Sequence, residues 1–479
     1  MSETTAPPDP ATAGTPVEAD PTTEPPATRG LREPIVARDR RFYAWLIGIT
    51  LAGLVLRVAY VWIWRRDMVV WGDGYFYHHA ANLLAGGQGW INPFAYFLRD
   101  SVNQAADHPP LYILYLGGFS WLGRTGVTSH LLASTVIGAG SVFLSGLAGR
   151  QIGGWRLGLV GAGVVAVYPG VWNWDGLLLS ETMAIFTTAL TIWLAYRFWR
   201  APGLWPAAAV GAAVALAALS RAELLLLSVF VIVPLCLLAG TTPWRDRILR
   251  LGAAALACIV VLAPWVTYNM TRFEQPVLLS NGFEITLATS NCEYTFYGPT
   301  TGYWSLQCSL DYLERNGFDE ATGDQSVRAE ILRRETLDFM GDNLDRLPVV
   351  VLARWGRITG LWKPTQQVEL DEFNERMTPW VIQSAAVTWY PVAGLAIAGA
   401  VILRRRRVPI SPVLGPVLVV AVVVTMFFGQ ARYRAVAEGA IALMAAVAIE
   451  ALWWRWRSRR ATSAPADADD DPTGEPISH

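Results

Sequence analysis

The sequence predicts an all-α integral membrane protein: a polytopic bundle of about ten transmembrane helices, ten to twelve at the limits, with juxtamembrane helices in two large extracytoplasmic loops. Three observations carry that expectation. Apolar residues make up 53% of the 479-residue chain and charged residues only 16%, against about 25% charged in an average soluble domain. The apolar residues are bunched into runs close to the ~20 residues that a helix needs to cross a hydrocarbon core. The Arg residues collect in short stretches between those runs rather than along one basic stripe.

The candidate spans, in order, are 42–64, 129–149, 157–173, 178–197, 205–220, 222–239, 251–270, 380–403, 411–429 and 435–454. Residues 111–122 are apolar but short, and fit a juxtamembrane helix better than a span. Lys and Arg in short loops stay on the cytoplasmic side. With ten spans, the basic clusters at 38–41, 150 and 156, 197 and 200, 245–250, 404–407 and 455–460 all fall on one side. Arg65 and Arg66 are the exceptions. Both termini then lie in the cytoplasm, and the loops 65–128 and 271–379 lie outside. The expected organisation is a disordered tail over 1–40, a membrane domain over 41–455, and a basic then acidic disordered tail over 456–479. The first tail is rich in Pro, Thr and Ala, and the last carries Asp467, Asp469, Asp470 and Asp471. Neither can bury enough apolar surface to offset its ordering entropy. A net charge of −1 and dispersed Arg residues argue against a nucleic-acid partner; the lipid bilayer is the partner that composition implies. Of the 38 basic residues all but Lys363 are Arg, which fits a GC-rich genome rather than a mechanism.

The first outer loop, 71–110, concentrates chemistry. Three of the five His of the chain, His78, His79 and His108, fall in it beside Asp73 and Asp107. A helix is expected over 75–84, with Phe76, Ala80, Leu83 and Leu84 on one face and His78, His79 and Asn82 toward the other. Gly86 and Gly87 would stop it. Asp73 stands at the start of that helix. From position alone it is either an N-cap, which Asp favours, or a general base. The His and Asp spacing lacks a compact two-His zinc signal, so no metal or other cofactor is firmly implied. A divalent ion shared between an acid and a substrate phosphate is the other option. Cys236 and Cys258 sit in apolar runs and read as packing residues. Cys292 and Cys308 lie in the second outer loop, where oxidation is permitted, and are expected to pair.

Charges at the ends of apolar runs are costly in a membrane and so mark function by default. Arg57, Asp175, Glu181, Arg221, Glu223, Arg432 and Arg434 all lie toward the outer side in the ten-span arrangement. The competing reading for the Arg residues is snorkelling to the interface.

Five segments carry a resemblance. WGDGYFYHHAANLLAGGQGW followed by ADHPPLYILYL resembles the first outer loop of the GT-C superfamily of membrane glycosyltransferases. In particular it is similar to glycosyltransferase family 39 and to bacterial enzymes that use polyprenyl-phosphate sugars, such as aminoarabinose transferases and protein mannosyltransferases. LLLSETMAIF, ALSRAELLLL, PWVTYNMTRFEQPVLLSNGFEITLATSN and GQARYRAVAEGAIALMAA follow in the order the family shows, over about residues 42–455. Tyr268, Ala222 and Glu438 stand where the family often has Arg, Pro and Pro. The resemblance implies a GT-C-like bundle and an inverting transfer of a sugar from a polyprenyl-phosphate donor to a glycan, lipid or protein acceptor, on the outer face of a bacterial plasma membrane. It places the catalytic base at Asp73 and makes His78, His79, His108, Asp175, Glu181, Arg57, Arg221, Glu223, Arg432 and Arg434 candidates for substrate and phosphate contacts. The alternatives are a lipid or sugar transporter or flippase, which would place polar groups near the midplane and often show repeats, and a non-catalytic envelope scaffold on the same fold.

Overall fold

The structure is a computed structural model and describes residues 40–238, 242–319 and 323–462. The tails expected at the two ends lie, apart from Arg40 and residues 456–462, outside the described residues.

The chain is helical from its first described residue. Helix α1 (Arg40–Tyr60) continues through one π-helical turn to Arg65. The first outer loop folds into α2 (Gly72–Ala85), α3 (Pro93–Arg99) and α4 (Leu111–Trp121). Then come α5 (Val127–Gly153), α6 (Trp155–Val167), the single turn α7 (Pro169–Trp172), α8 (Glu181–Arg200), α9 (Leu204–Ala218), α10 (Val233–Leu238) and α11 (Trp244–Met270). The second outer loop holds α12 (Gly282–Ser290), α13 (Glu293–Phe296), α14 (Leu306–Arg315), α15 (Gln325–Asp342), α16 (Leu347–Thr359) and α17 (Pro364–Glu375). Helices α18 (Pro379–Arg405), α19 (Ser411–Met426) and α20 (Ala431–Thr462) complete the bundle. Among the described residues the only extended pairing is an isolated bridge between Ile91 and Gln104.

Each expected span is largely helical over its described residues, but the count of about ten does not carry over directly. Among the described residues five helices are long and apolar enough to cross a membrane: Arg40–Arg65, Val127–Gly153, Trp244–Met270, Pro379–Arg405 and Ala431–Ser458. A sixth arises if α6 and Pro169–Gly176, bent by 62°, form one broken span. The others are shorter or more polar. Helix α8 carries Glu181, Arg197 and Arg200, and α19 has 16 residues, a rise of ~24 Å against a ~30 Å core. The segment 222–238 is broken into 3-10 and π turns. The short apolar helix α4 has 11 residues, as its length in the sequence requires.

Small residues let the bundle close. Gly154 turns α5 into α6 at φ +90°, a backbone conformation that glycine adopts without a Cβ penalty. A Cβ on Gly158 would lie 2.7 Å from the Gly146 carbonyl across that hairpin, so the two backbones touch directly. At one end of the bundle Arg150 lies over Phe42 and Tyr43, and Arg156 over Trp454. Arg150 and Arg156 therefore lie beside the start of α1 and the late part of α20. The segments 71–110 and 271–379 meet each other, with Arg328 donating to Asp107.

Cys292 and Cys308 are joined by a disulfide that ties α13 to α14, while Cys236 and Cys258 are buried and unpaired. Residues Gly282–Ser290 are helical as α12, and Gln325–Asp342 form α15 with the Asp324 side chain capping it.

Candidate functional site

Helix α2 begins one residue before Asp73. Its N-cap position is Trp71, with no side-chain cap, and Gly72 opens the helix at φ +52°. Asp73 is thus inside the first turn, where the helix dipole favours a carboxylate, but its oxygens do not cap. Oδ2 accepts from Arg432 at 2.6 Å, and Oδ1 lies 3.6 Å from His108 Nε2. The capping reading fails on that geometry.

Arg432 is the centre of the arrangement. It sits in the first turn of α20, and its guanidinium meets three carboxylates from three other segments. NH2 reaches Asp73, Nε donates to Glu181 at the first residue of α8, and NH1 lies 3.4 Å from Glu375 at the end of α17. Glu181 is fully buried, and its Oε1 also accepts from Arg221; among the described residues its Oε2 has no partner. Arg221 in turn donates to Glu223 at 2.5 Å and lies 5.3 Å over the Tyr433 ring. Gln430 donates to Glu375 at 3.1 Å. Four carboxylates, from Asp73, Glu181, Glu223 and Glu375, therefore surround two guanidinia. Glu181 is buried and the Asp73 side chain is 36% exposed, so the network is sealed at Glu181 and open at Asp73.

The electrostatics follow. Burial works against the Asp73 carboxylate, but Arg432 and His108 outweigh it and hold the carboxyl well below its usual range. Glu375 moves the other way: burial raises it, Arg432 opposes, and the Asp73 and Glu181 charges add to the rise. One turn earlier on α17, burial lifts Asp371 to about 7, although Gln367 donates to it at 2.9 Å.

His108 is placed by the second outer loop. Its ring packs on Phe76 and Tyr77, with centroids 4.9 and 4.7 Å apart. The preceding Asp107 accepts from Arg328 at 2.5 Å and Gln325 at 2.7 Å, and Gln325 also accepts from the Ala106 amide at 3.0 Å. Helix α15 thereby clamps the strip that carries His108. The clamp draws Asp107 below its normal range, against the effect of burial.

Other expected site residues lie elsewhere. Arg57 and Asp175 pair with each other at 2.6 Å, and Arg57 also donates to the Gly53, Ala166 and Val165 carbonyls while fully buried. With every donor spent inside the bundle, Arg57 is a packing ion pair and not a phosphate contact. His78 is buried and meets His130 at 3.1 Å; its face of α2 packs against protein rather than facing water, and burial lowers it to about 3. His79 stacks with Tyr75 and Phe97 and takes no part in the Arg432 network. Arg434 bonds Glu438 at 2.5 Å and the Ile358 carbonyl at 2.7 Å, over the Trp389 ring; it braces α16 and α18 instead of the site. The structure thus joins Asp73, His108, Glu181, Arg221, Glu223 and Arg432, and adds Glu375 and Gln430, which the sequence does not single out. Among the described residues no group of three or more His, Cys, Asp or Glu is placed to hold a metal ion.

No protein-family model matches the chain, and no curated protein matches it. Solved structures do. The archaeal oligosaccharyltransferase AglB from Archaeoglobus fulgidus, in complex with an inhibitory peptide and a dolichol-phosphate, aligns over 88% of this chain and 51% of its own at 15% identity and a TM-score of 0.51. The apo form of the Archaeoglobus fulgidus enzyme aligns over 89% and 52% at 16% identity and the same TM-score. ArnT from Cupriavidus metallidurans bound to undecaprenyl phosphate aligns over 90% and 82% at 13% identity and a TM-score of 0.42, too distant to bear on the fold. The chain spans about half the length of the archaeal oligosaccharyltransferase chains it matches. Their likeness shows the fold: this chain shares the helical membrane-bundle fold of the archaeal oligosaccharyltransferase structures.

Proposed function

We propose that this GT-C-type chain is an inverting glycosyltransferase. It moves a sugar from a polyprenyl-phosphate-linked donor to an envelope acceptor on the extracytoplasmic face of a bacterial plasma membrane, with both termini cytoplasmic. The observation that carries the reading is Arg432, a single guanidinium shared by Asp73, Glu181 and Glu375 where the outer loops meet the bundle.

In the reaction, the acceptor hydroxyl forms a new bond to C1 of the sugar, and the bond from C1 to the phosphate oxygen breaks. The hydroxyl proton goes to Asp73 and the bonding pair leaves with the phosphate. A leaving phosphate monoester, with a second pKa near ~6, needs no strong general acid. It does need fixed donors for its developing charge, which planar guanidinia supply. Arg432 and Arg221 fill that role.

In the free protein Arg432 is occupied by acids, and its contact depresses the Asp73 carboxyl, which makes Asp73 a poor base. A donor phosphate that takes over Arg432 removes that contact. The Asp73 carboxyl then rises toward its ordinary range and becomes a better base. Glu181, buried and shared by both Arg residues, keeps them aimed while the partners exchange. The order is donor first, acceptor second.

The test uses the purified full chain in detergent with undecaprenyl-phosphate-linked mannose, arabinose, galactose and aminoarabinose, and reads release of undecaprenyl phosphate. Asp73→Asn is expected to lower turnover by ~10²–10⁴, the usual weight of a general base. Full turnover by folded Asp73→Asn protein would end the base assignment.

A further inference from the structure

Arg65 and Arg66 break the one-sided distribution of basic residues, and the Asp73 network uses neither. Arg65 ends the π-helical turn that extends α1. It helps line a cavity of about 460 Å³ together with Trp64, Asp67, Met68, Val69, Trp71 and Arg376. The inner wall is formed by the segments that carry the site: Trp71 lies two residues before Asp73, and Arg376 follows Glu375.

The level of this cavity is set by aromatic rings. Trp64 packs on Trp380 at 5.2 Å, and Tyr60 on Trp172 at 5.1 Å, where α1 ends and α18 begins. Trp and Tyr gather at the headgroup level of membranes, so the cavity opens at that level, on the side of Asp73. Exposed Val69 and Trp71 line its mouth.

Its charge is uncompensated. Arg65 donates to the Gly176 and Arg376 carbonyls at 2.9 and 2.7 Å and to the Met68 sulfur at 3.4 Å. The Arg376 guanidinium lies over Trp71 and Phe373, at 5.9 and 5.7 Å. Among the described residues neither has a carboxylate partner, and Asp67 is engaged by Arg66 at 3.2 Å. Around Asp73, by contrast, both Arg residues are paired with acids. An anion entering this cavity meets the exposed Arg376 guanidinium without displacing any carboxylate, while Arg65, already bonded to Gly176, Arg376 and Met68, adds its charge from the wall.

We propose that this cavity is a headgroup site for an anionic membrane lipid, whose phosphate is bound by Arg376, with Arg65 fixing the wall behind it, and whose chains leave along the exposed end of α1. Trp62, Ile63 and Trp64 supply the apolar surface there. The site is separate from the one assigned to the donor phosphate and does not depend on the transfer reading. Arg376 is the specific handle, because its side chain is exposed and, among the described residues, has no hydrogen-bonding partner; Arg65 holds backbone and is needed for the wall.

The test is native mass spectrometry of the full chain in a neutral detergent, titrated with short-chain phosphatidylglycerol or phosphatidylcholine. The wild type is expected to retain phosphatidylglycerol about tenfold more tightly, the weight of one charge-assisted Arg–phosphate contact. Arg376→Gln is expected to bring the two lipids to equal retention, and Arg376→Lys to recover part of the preference. Asp73→Asn, which tests the transfer reading, is expected to keep the preference intact. Equal retention of both lipids by the wild type, or an undiminished preference in Arg376→Gln, overturns the site.

Discussion

Replacing Arg432 by Gln removes the one side chain that touches Asp73, Glu181 and Glu375 together. The cost to the fold comes chiefly from Glu181, which is fully buried. Breaking a buried ion pair by deleting one partner costs roughly 3–5 kcal/mol, but Arg221 still pairs with Glu181, so the lower end of that range applies. Asp73, with its side chain 36% exposed, adds at most about 1 kcal/mol. The cost to catalysis is larger in rate: losing a fixed donor to a developing oxyanion lowers kcat by ~10²–10³. Arg432→Lys keeps a charge, but a compact ammonium cannot serve three carboxylates in fork geometry, and it is expected to fall between wild type and Arg432→Gln. The pH dependence gives an independent reading. In the wild type the Asp73 carboxyl lies well below its usual range, so its contribution to stability is complete above pH ~4 and is lost only as pH falls through the lower folded value. Without Arg432 that carboxyl returns toward the usual range. The acid limb of kcat/KM, which reports groups of the free protein, is then expected to move to higher pH. Steady-state kinetics against donor concentration, thermal unfolding in detergent and a pH profile together decide it. An Arg432→Gln protein with wild-type melting temperature, donor KM and acid limb would refute the network as both structural and catalytic centre.

Three further outcomes are expected. Asp371, lifted to about 7 by burial, favours the neutral form in the folded state; its penalty on stability grows as pH rises from ~4 to about 7, so Asp371→Asn is expected to stabilise the protein at pH 8 by roughly 2–4 kcal/mol and to change nothing at pH 4, as read by thermal unfolding at both values. Cys292→Ser is expected to lower stability by about 3 kcal/mol, the chain-entropy value for a loop of this order, given a sequence separation of 16; an unchanged melting temperature, with and without reductant, would count against it. Arg57→Met is expected to cost roughly 3–5 kcal/mol by stranding Asp175, and Arg57→Met with Asp175→Leu to recover most of it, whereas a stable Arg57→Met protein with a raised donor KM would return Arg57 to the site.

How much of this was legible in the sequence depends on what each charge is near. Asp73, Glu181, Arg221 and Arg432 stood out because a charge at the edge of an apolar run is expensive and therefore visible. The same signal picked Arg57 and Asp175, which the fold spends on each other, since a sequence displays the cost of a buried charge but not its partner. Glu375 carried no signal at all: it lies among the acids of the second outer loop, and only the tertiary contact with Arg432 separates it from Glu369 or Glu372. His78 was misplaced for a related reason. Helical periodicity distinguishes faces but cannot say what covers them, and its partner His130 lies 52 residues away in α5. Arg65 and Arg66 were legible only as exceptions to the charge pattern, and the structure supplies a reason for Arg65. The useful distinction is therefore not whether an Arg lies in a membrane-facing sequence but whether its donors are consumed. Arg57 is consumed by one carboxylate and three carbonyls and is fully closed. Arg432 is consumed by three acids, one of them open to solvent, so an incoming anion can exchange with it. Among the described residues the Arg376 side chain has no hydrogen-bonding partner to exchange, and for that reason an anion is bound there without any rearrangement of the fold.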